Sequence, residues 1–405
     1  MLSTVRVRSS AAAAALVTAL LATAPLAAQQ QEQPTEFQSW RLPGWSFTPG
    51  IRIGALFDSN VNVSFPVSPE AGTPSDKLYT FEPFGQLEYL SPRTVFSTGY
   101  NGSIRRYFSF DELDGNDHRA YLSLRHMLSR RVTLFANDNF IRVPTTDFLE
   151  LNGVPFRRTG SRYDAFSGGV EARLSRTVDL ITRYDLTWVD FTRKDTLLTG
   201  GFVNGVHAEL SRRLTGRSSF GVEGGVRWAD LDEGTRSLLF NETGVVYRYR
   251  TGPLTTFEAA VGLARLDDRT RDIQRNGPYA RIGLTHRAER ATLGVTFERS
   301  YVPSFTFGGT NQSQEVRGYL QMPLTRNRLY VQEAGAWRRT DPFVATELPL
   351  DSIWINSVVG YELQRWLRLE SYYTFTRQNT RLFNGQIHRH IAGAQVVISE
   401  PMRIR

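Results

Sequence analysis

Phe166-Ser-Gly-Gly-Val-Glu-Ala-Arg-Leu-Ser-Arg-Thr-Val-Asp-Leu180 is the stretch that decides the fold. Phe166, Gly168, Val170, Ala172 and Leu174 fall on one face, and Ser167, Gly169, Glu171 and Arg173 on the other. Alternation with period two over ten residues is the signature of a β-strand with two unlike faces. The Leu-Ser-Arg that follows marks a turn, and that turn recurs. It reads Leu90-Ser-Pro-Arg-Thr94, Leu128-Ser-Arg-Arg-Val132, Leu210-Ser-Arg-Arg-Leu-Thr-Gly-Arg217 and Tyr249-Arg-Thr-Gly-Pro-Leu254. Further on it reads His286-Arg-Ala-Glu-Arg-Ala291, Leu324-Thr-Arg-Asn-Arg-Leu329 and Leu363-Gln-Arg-Trp-Leu367.

The eight turns are spaced by about 38 residues, with one interval nearer 46, between the second and third. A unit of that length holds two strands, a tight turn and a longer connection. Propeller blades and helical solenoids share the spacing, but the period-two pattern removes the solenoids. Eight turns join sixteen strands. One more strand, Ser46 to Asp58, precedes them, and Gln386 to Ser399 closes the set. The expectation is an all-β, closed antiparallel transmembrane β-barrel of about 18 strands, an even number with both termini on one side.

Bulk composition agrees. The 405-residue chain is 40% hydrophobic with a mean hydropathy of −0.32 and contains no second long apolar run after its N-terminus. This excludes a helical membrane protein and suits a barrel, in which one residue in two meets lipid. There are no cysteines, so disulfides, thiolate metal sites and a lipoprotein anchor are excluded. The net charge of +8 falls to about +6 without Arg6 and Arg8, and the arginines are spread over every turn and strand, which argues against a nucleic-acid partner.

Three segments are expected. Residues 1–28 read as a signal peptide: a basic start at Arg6 and Arg8, an apolar run from Ala11 to Ala24, and a small-residue cleavage stretch ending at Ala28. Residues 29–45 read as a polar periplasmic N-terminal segment, too short for the plug domain of a TonB-dependent receptor. Residues 46–405 form the barrel.

A soluble sandwich would alternate in the same way, and two features separate the readings. Trp188, Trp228, Trp337, Trp354 and Trp366 fall at strand ends, where interfacial girdles belong. The polar face carries Glu171, Arg173, Arg183, Asp185, Glu209, Glu223, Arg227, Glu258, Arg281, Glu298, Glu315, Arg317, Arg368 and Glu370. Such a row suits the lining of a water-filled lumen and not a packed core. Asp138 and Glu333 break the alternation, which anticipates bulges or positions above the apolar band.

Gly54-Ala-Leu-Phe-Asp-Ser-Asn-Val61, Tyr100-Asn-Gly-Ser-Ile-Arg-Arg-Tyr107 and the final Gly393-Ala-Gln-Val-Val-Ile-Ser399 resemble the outer-membrane β-barrel porins of Gram-negative bacteria, including those linked to exopolysaccharide export. The ending Pro401-Met-Arg-Ile-Arg405 departs from the terminal aromatic residue of that family. The resemblance implies an outer-membrane channel for small polar solutes or polysaccharide, with periplasmic termini. It also implies outer-membrane lipid and lipopolysaccharide as surroundings and the barrel assembly machinery as a partner. An occluded structural or surface-interaction barrel is the alternative, with an outer-membrane hydrolase behind it.

No enzyme motif, cofactor site or metal site is expected. Gly-x-Ser-x-Gly, His-Glu-x-x-His and a phosphate loop are absent. His388 and His390 share a face but lack a third ligand. His207 and Ser211, four residues apart along a strand, are about 13 Å from one another, too far for a nucleophile and its base. Asp58 and Asp76 bracket the first outer loop, as turn formers or as ligands of a divalent cation. The surplus length lies in the third outer loop, where Asp147, Glu150, Arg157 and Arg158 are candidates for a constriction that sets ion preference. Arg157→Ala/Arg158→Ala is expected to shift the reversal potential in a salt gradient toward cation preference. An unchanged potential would remove these residues from the ion path.

Overall fold

The computed structural model describes residues 43–62, 73–143, 160–192, 198–231, 234–288, 290–303, 305, 310–325, 328–343, 349–380 and 385–404. The anticipated signal peptide (1–28), nearly all of segment 29–45, and the loop residues Asp147, Glu150, Arg157 and Arg158 lie outside them.

Each alternating segment is a strand. In chain order they are β1 (Gly44–Asp58), β2 (Asp76–Leu90), β3 (Thr94–Tyr107), β4 (Gly115–Ser129), β5 (Val132–Val143) and β6 (Ser161–Arg173). There follow β7 (Val178–Phe191), β8 (Gly201–Arg213), β9 (Ser218–Leu231), β10 (Arg236–Arg250), β11 (Thr255–Asp268) and β12 (Ile273–Arg287). The last are β13 (Thr292–Pro303), β14 (Thr310–Thr325), β15 (Leu329–Pro342), β16 (Leu350–Gln364), β17 (Leu367–Thr380) and β18 (Gly385–Ser399), with a short β19 (Met402–Ile404) continuing the final strand. Each strand pairs antiparallel with its sequence neighbours. Gly50–Asp58 of β1 pair with Ile391–Ser399 of β18, and β19 extends that seam to Trp45–Phe47. The sheet is therefore a closed barrel of eighteen strands.

All eight recurring turns join consecutive strands through two to four residues, at one end of the barrel. Ser and Thr hydroxyls hold the first four of them. Ser129, Ser175 and Thr215 each accept from backbone N–H groups two and three residues on, the local bond that makes these residues turn formers. The first described strand and β19 also end here. Connections at the opposite end are longer in several places, although β9–β10 and β11–β12 are joined there by only four residues each.

Register links the faces into two continuous surfaces. Tyr184 pairs with Val206, which pairs with Val226, and Val245 pairs with Val261 and Val222. Large apolar side chains on this surface stand exposed, Val261 at 52% and Leu263 at 70%. The other surface is the concave one: its side chains make contacts between strands three and four apart, which diverging side chains on a convex surface cannot reach. An exposed apolar surface right round a cylinder needs hydrocarbon against it.

Trp188, Trp228 and Trp337 stand on the outer face at the long-connection end, with Trp188 stacked on Phe202. Trp366 is 45% exposed in the last short turn. Trp354 differs from expectation. It pairs with Ala336 and Thr376 and so belongs to the inner face. One residue of offset suffices, because period two sends neighbours to opposite sides. Asp138 and Glu333 are not bulges. The ladder runs through both, and both face outward, which leaves the reading that they lie above the apolar band; the Ser357 hydroxyl donates to Glu333. The register shifts fall instead at turn ends, beside Ser129, Thr325 and Gln364.

Val261 lies midway along β11. Val261→Arg is expected to cost about 2–4 kcal/mol in urea unfolding of the vesicle-inserted chain. A loss within about 0.5 kcal/mol, normal for a water-exposed site, would contradict lipid contact.

Candidate functional site

The fourteen charged residues singled out from the sequence all lie on the inner face by register, and the structure joins most of them into networks. The largest runs across β8 to β12. Arg248 on β10 holds Glu209 on β8 through both guanidinium nitrogens and reaches Glu258 on β11 at 2.6 Å. Arg281 on β12 bridges Glu258 at 3.1 Å and Glu223 on β9 at 3.0 Å. His207 on β8 lies 3.6 Å from Glu223. Glu209, Glu223 and Arg281 are nearly fully buried. Arginine suits this role because its planar fork binds two carboxylates at once.

Smaller groups continue the ring. Glu315 takes Arg338 and Arg317, the latter at 2.8 Å. Glu370 accepts from the Tyr330 hydroxyl and from Gln395 Nε2 at 2.6 Å, with Arg368 at 3.9 Å. Glu298 accepts from the Ser300 hydroxyl, and Arg183 pairs with Asp185 at 2.8 Å. Glu171 is held by both nitrogens of Arg125, and Arg173 and Arg213 share Asp179.

Arg248, Arg125 and Arg338 belong to these groups, and Glu242 pairs with Arg227, although the sequence pattern did not mark them. On the β1–β4 side the same is true of Arg52–Glu82 and Arg105–Asp117. Their parity within the strand was the available signal. Asp58 and Asp76, in register on β1 and β2 at the base of the first long connection, tie it to β18 and to the β3–β4 connection. Asp58 pairs with Arg389 at 2.6 Å, and Asp76 accepts the N–H groups of Lys77, Ser109 and Phe110. His388 and His390 face outward against Phe375, with Tyr373 on His390. No cluster of three metal-binding side chains occurs among the described residues.

The two ends of the inner wall differ. At the short-turn end Arg125, Arg173 and Arg213 are exposed. At the long-connection end Asp58, Leu78, Tyr107, Asp117, Val143, Phe191, Leu231, Leu266, Leu350 and Gln378 are buried. Part of that cover comes from β13. Its ladder with β12 stops at Ala280–Arg299, so Ile273–Tyr279 pair with β11 alone. Beyond that point β13 leans inward. The Tyr301 carbonyl accepts from Arg227 on β9 at 3.0 Å, four strands away, and its ring packs on Phe343. Tyr301 lies against Gly277 so closely that a Cβ there would stand 2.2 Å from the hydroxyl oxygen. The Phe305 carbonyl accepts from the Thr199 N–H at 2.7 Å. Tyr301 and Phe305 thereby join Val189, Phe191, Leu238, Phe240 and Leu266 in one apolar cluster inside the mouth.

The third connection, expected to supply a constriction, lies outside the described residues. Among the described residues, the end of β13 and Phe305 lean inward. The sequence signal for this is the run Tyr301-Val-Pro-Ser-Phe-Thr-Phe307, too apolar for a solvated connection.

No protein-family profile and no curated protein matches this chain. Among solved structures it is similar to Pseudomonas aeruginosa OpdQ (9% identity, TM-score 0.44, 89% of this chain and 98% of that one). It is also similar to Acinetobacter baumannii OccAB4 (10%, 0.45, 89% and 99%) and to the outer membrane protein opdK of Pseudomonas aeruginosa (12%, 0.43, 88% and 99%).

Arg281→Ala leaves buried Glu223 without its arginine and removes one of the two arginines on partly buried Glu258. It is expected to destabilise the folded barrel by about 3–5 kcal/mol, read by denaturant unfolding. The triple change Glu223→Gln/Glu258→Gln/Arg281→Met is expected to recover more than half of that loss, and equal losses would show that charge pairing is not the cause.

Proposed function

We propose that this chain is a channel of the Gram-negative outer membrane that passes small polar solutes through a narrow lumen with mixed charge. The observation that carries the reading is the pairing of two opposite surfaces on one closed ladder: apolar side chains exposed outside, ion-paired side chains inside. Hydrocarbon on one side and water on the other is the setting in which both surfaces are stable. In this reading the signal peptide takes the chain across the inner membrane, the short turns and both termini are periplasmic, and the long connections face outward. Lipopolysaccharide then surrounds the long-connection end, and the barrel assembly machinery inserts the chain.

The interior is polar at mid-height and toward the short-turn end, apolar over much of the long-connection end, and not uniformly open. Inner residues of β4 to β7 at mid-height, such as Tyr121, Ser123, Asn137, Asn139, Ser167 and Asp185, are only half-buried. The β8–β13 side is filled by the ion-pair network and, toward the outer mouth, by the apolar cluster. Solute passage therefore runs off-centre, along β4 to β7. Fixed charges of both signs beside that path favour small polar or zwitterionic solutes over large neutral ones. Whether the family resemblance to exopolysaccharide exporters extends to cargo is decided by whether the passage admits a sugar chain.

A second reading is favoured by the burial of the inner wall at the long-connection end: a barrel closed at rest, acting as a structural or surface-interaction protein. Planar-bilayer recording separates the two. The channel reading expects discrete conductance steps from the wild-type chain and at least a twofold increase from Tyr301→Ala/Phe305→Ala, which releases the β13–β14 tip. Silence from both proteins after verified insertion would reject the channel and leave the closed barrel.

A further inference from the structure

Spread along the sequence, the arginines of the recurring turns form no cluster; the fold gathers them into a ring. Arg130, Arg131, Arg176, Arg217, Arg290 and Arg365 are all exposed at the short-turn end, and none has an ion pair with another described residue. The acids nearest to them on the inner rim, Glu171 and Asp179, are already held by Arg125, Arg173 and Arg213. Glu362 and Glu400 also lie at this end and leave it strongly positive.

Beside these arginines the same turns carry exposed apolar side chains. Leu128, Leu174, Leu214 and Leu363 are 54%, 53%, 59% and 40% exposed; Leu174 and Leu214 continue the outer-face parity of their strands, and Leu128 and Leu363 sit at the register shifts beside their turns. Exposed apolar side chains thus recur down to the turns, with Arg212 on β8 and His126 on β4 among them on the same face. A guanidinium two or three residues past such a leucine stands at the level where hydrocarbon gives way to headgroups. Leucine below and arginine above is the arrangement by which a side chain anchors in acyl chains and pairs with phosphate.

We propose that the short-turn end is a basic collar that selects anionic phospholipids, binding their phosphodiester headgroups around the barrel rim. A soluble acidic polymer would need the arginines but not the exposed leucines, so the leucines favour lipid. The proposal rests on the membrane reading above and adds to it a preference within the bilayer. Arg is better suited than Lys here, since its fork pairs with two phosphate oxygens.

The test uses the full mature chain inserted in phosphatidylcholine vesicles, with Trp40, Trp188, Trp228, Trp337 and Trp354 changed to Phe. Trp45 and Trp366 then remain and report from the short-turn end. Quenching by brominated phosphatidylglycerol is compared with quenching by brominated phosphatidylcholine at equal mole fraction. The collar expects the anionic lipid to be preferred about threefold or more at low ionic strength, and the preference to fade at about 1 M salt, where the Debye length is roughly 3 Å. Arg130→Ala/Arg131→Ala/Arg176→Ala/Arg217→Ala/Arg365→Ala should bring the ratio to one while the chain still inserts.

Equal quenching by both lipids in the inserted parent chain overturns the collar and leaves the membrane barrel standing. So does a preference that survives the alanine changes, or binding of a soluble acidic polysaccharide without lipid preference. A chain that inserts in neither bilayer overturns the membrane reading itself.

Discussion

The closing ladder between the first and last strands is the contact on which everything else depends. Without it the sheet would present two unpaired edges, and in hydrocarbon each orphaned N–H or C=O costs several kcal/mol. With Gly50–Asp58 paired to Ile391–Ser399, the strands' backbone polar groups are satisfied within the sheet except along Ile273–Tyr279, where β13 leaves β12. The chain is then free to present apolar side chains on its whole outer surface. Strand order is thereby forced into simple up-and-down succession, since every neighbour in space is a neighbour in sequence except at the seam.

Closure also explains why so much charge is retained inside. Buried ion pairs are poor sources of stability, because desolvation cancels most of their attraction. Replacing Arg248, Glu209, Glu258 and Arg281 by apolar residues would fill the same volume. It would also erase the difference between the two faces that tells each strand which way to turn. A slip by one residue moves every charge outward, and that penalty pins the register of all eighteen strands at once. The networks therefore specify the fold while keeping the interior polar.

The barrel is nevertheless unequal from end to end. Half of the β12–β13 ladder is given up at the long-connection end, where β13 leans across the mouth. The freed carbonyl of Tyr301 finds Arg227, and the aromatic rings find an apolar cluster, so the inward tip is satisfied in both its polar and apolar parts. Among the described residues the short-turn end has no such cover and keeps its arginines in the open. One end is narrowed by packing, and the other is lined by exposed charge.

Period two and the recurring Leu-Ser-Arg turn were enough to determine the strand number, the turn positions and which residues share a face. Those are local properties: alternation is set by the backbone geometry of a strand, and Ser and Thr make their turns with bonds two or three residues long. Trp354 shows the limit, because its face depends on counting from the correct neighbour. Partners were not legible at all. That Arg281 reaches Glu223 past two strands, that β13 abandons β12 for the interior, and that scattered turn arginines become one ring depend on curvature and closure. Those are properties of eighteen strands taken together, and no window of sequence contains them.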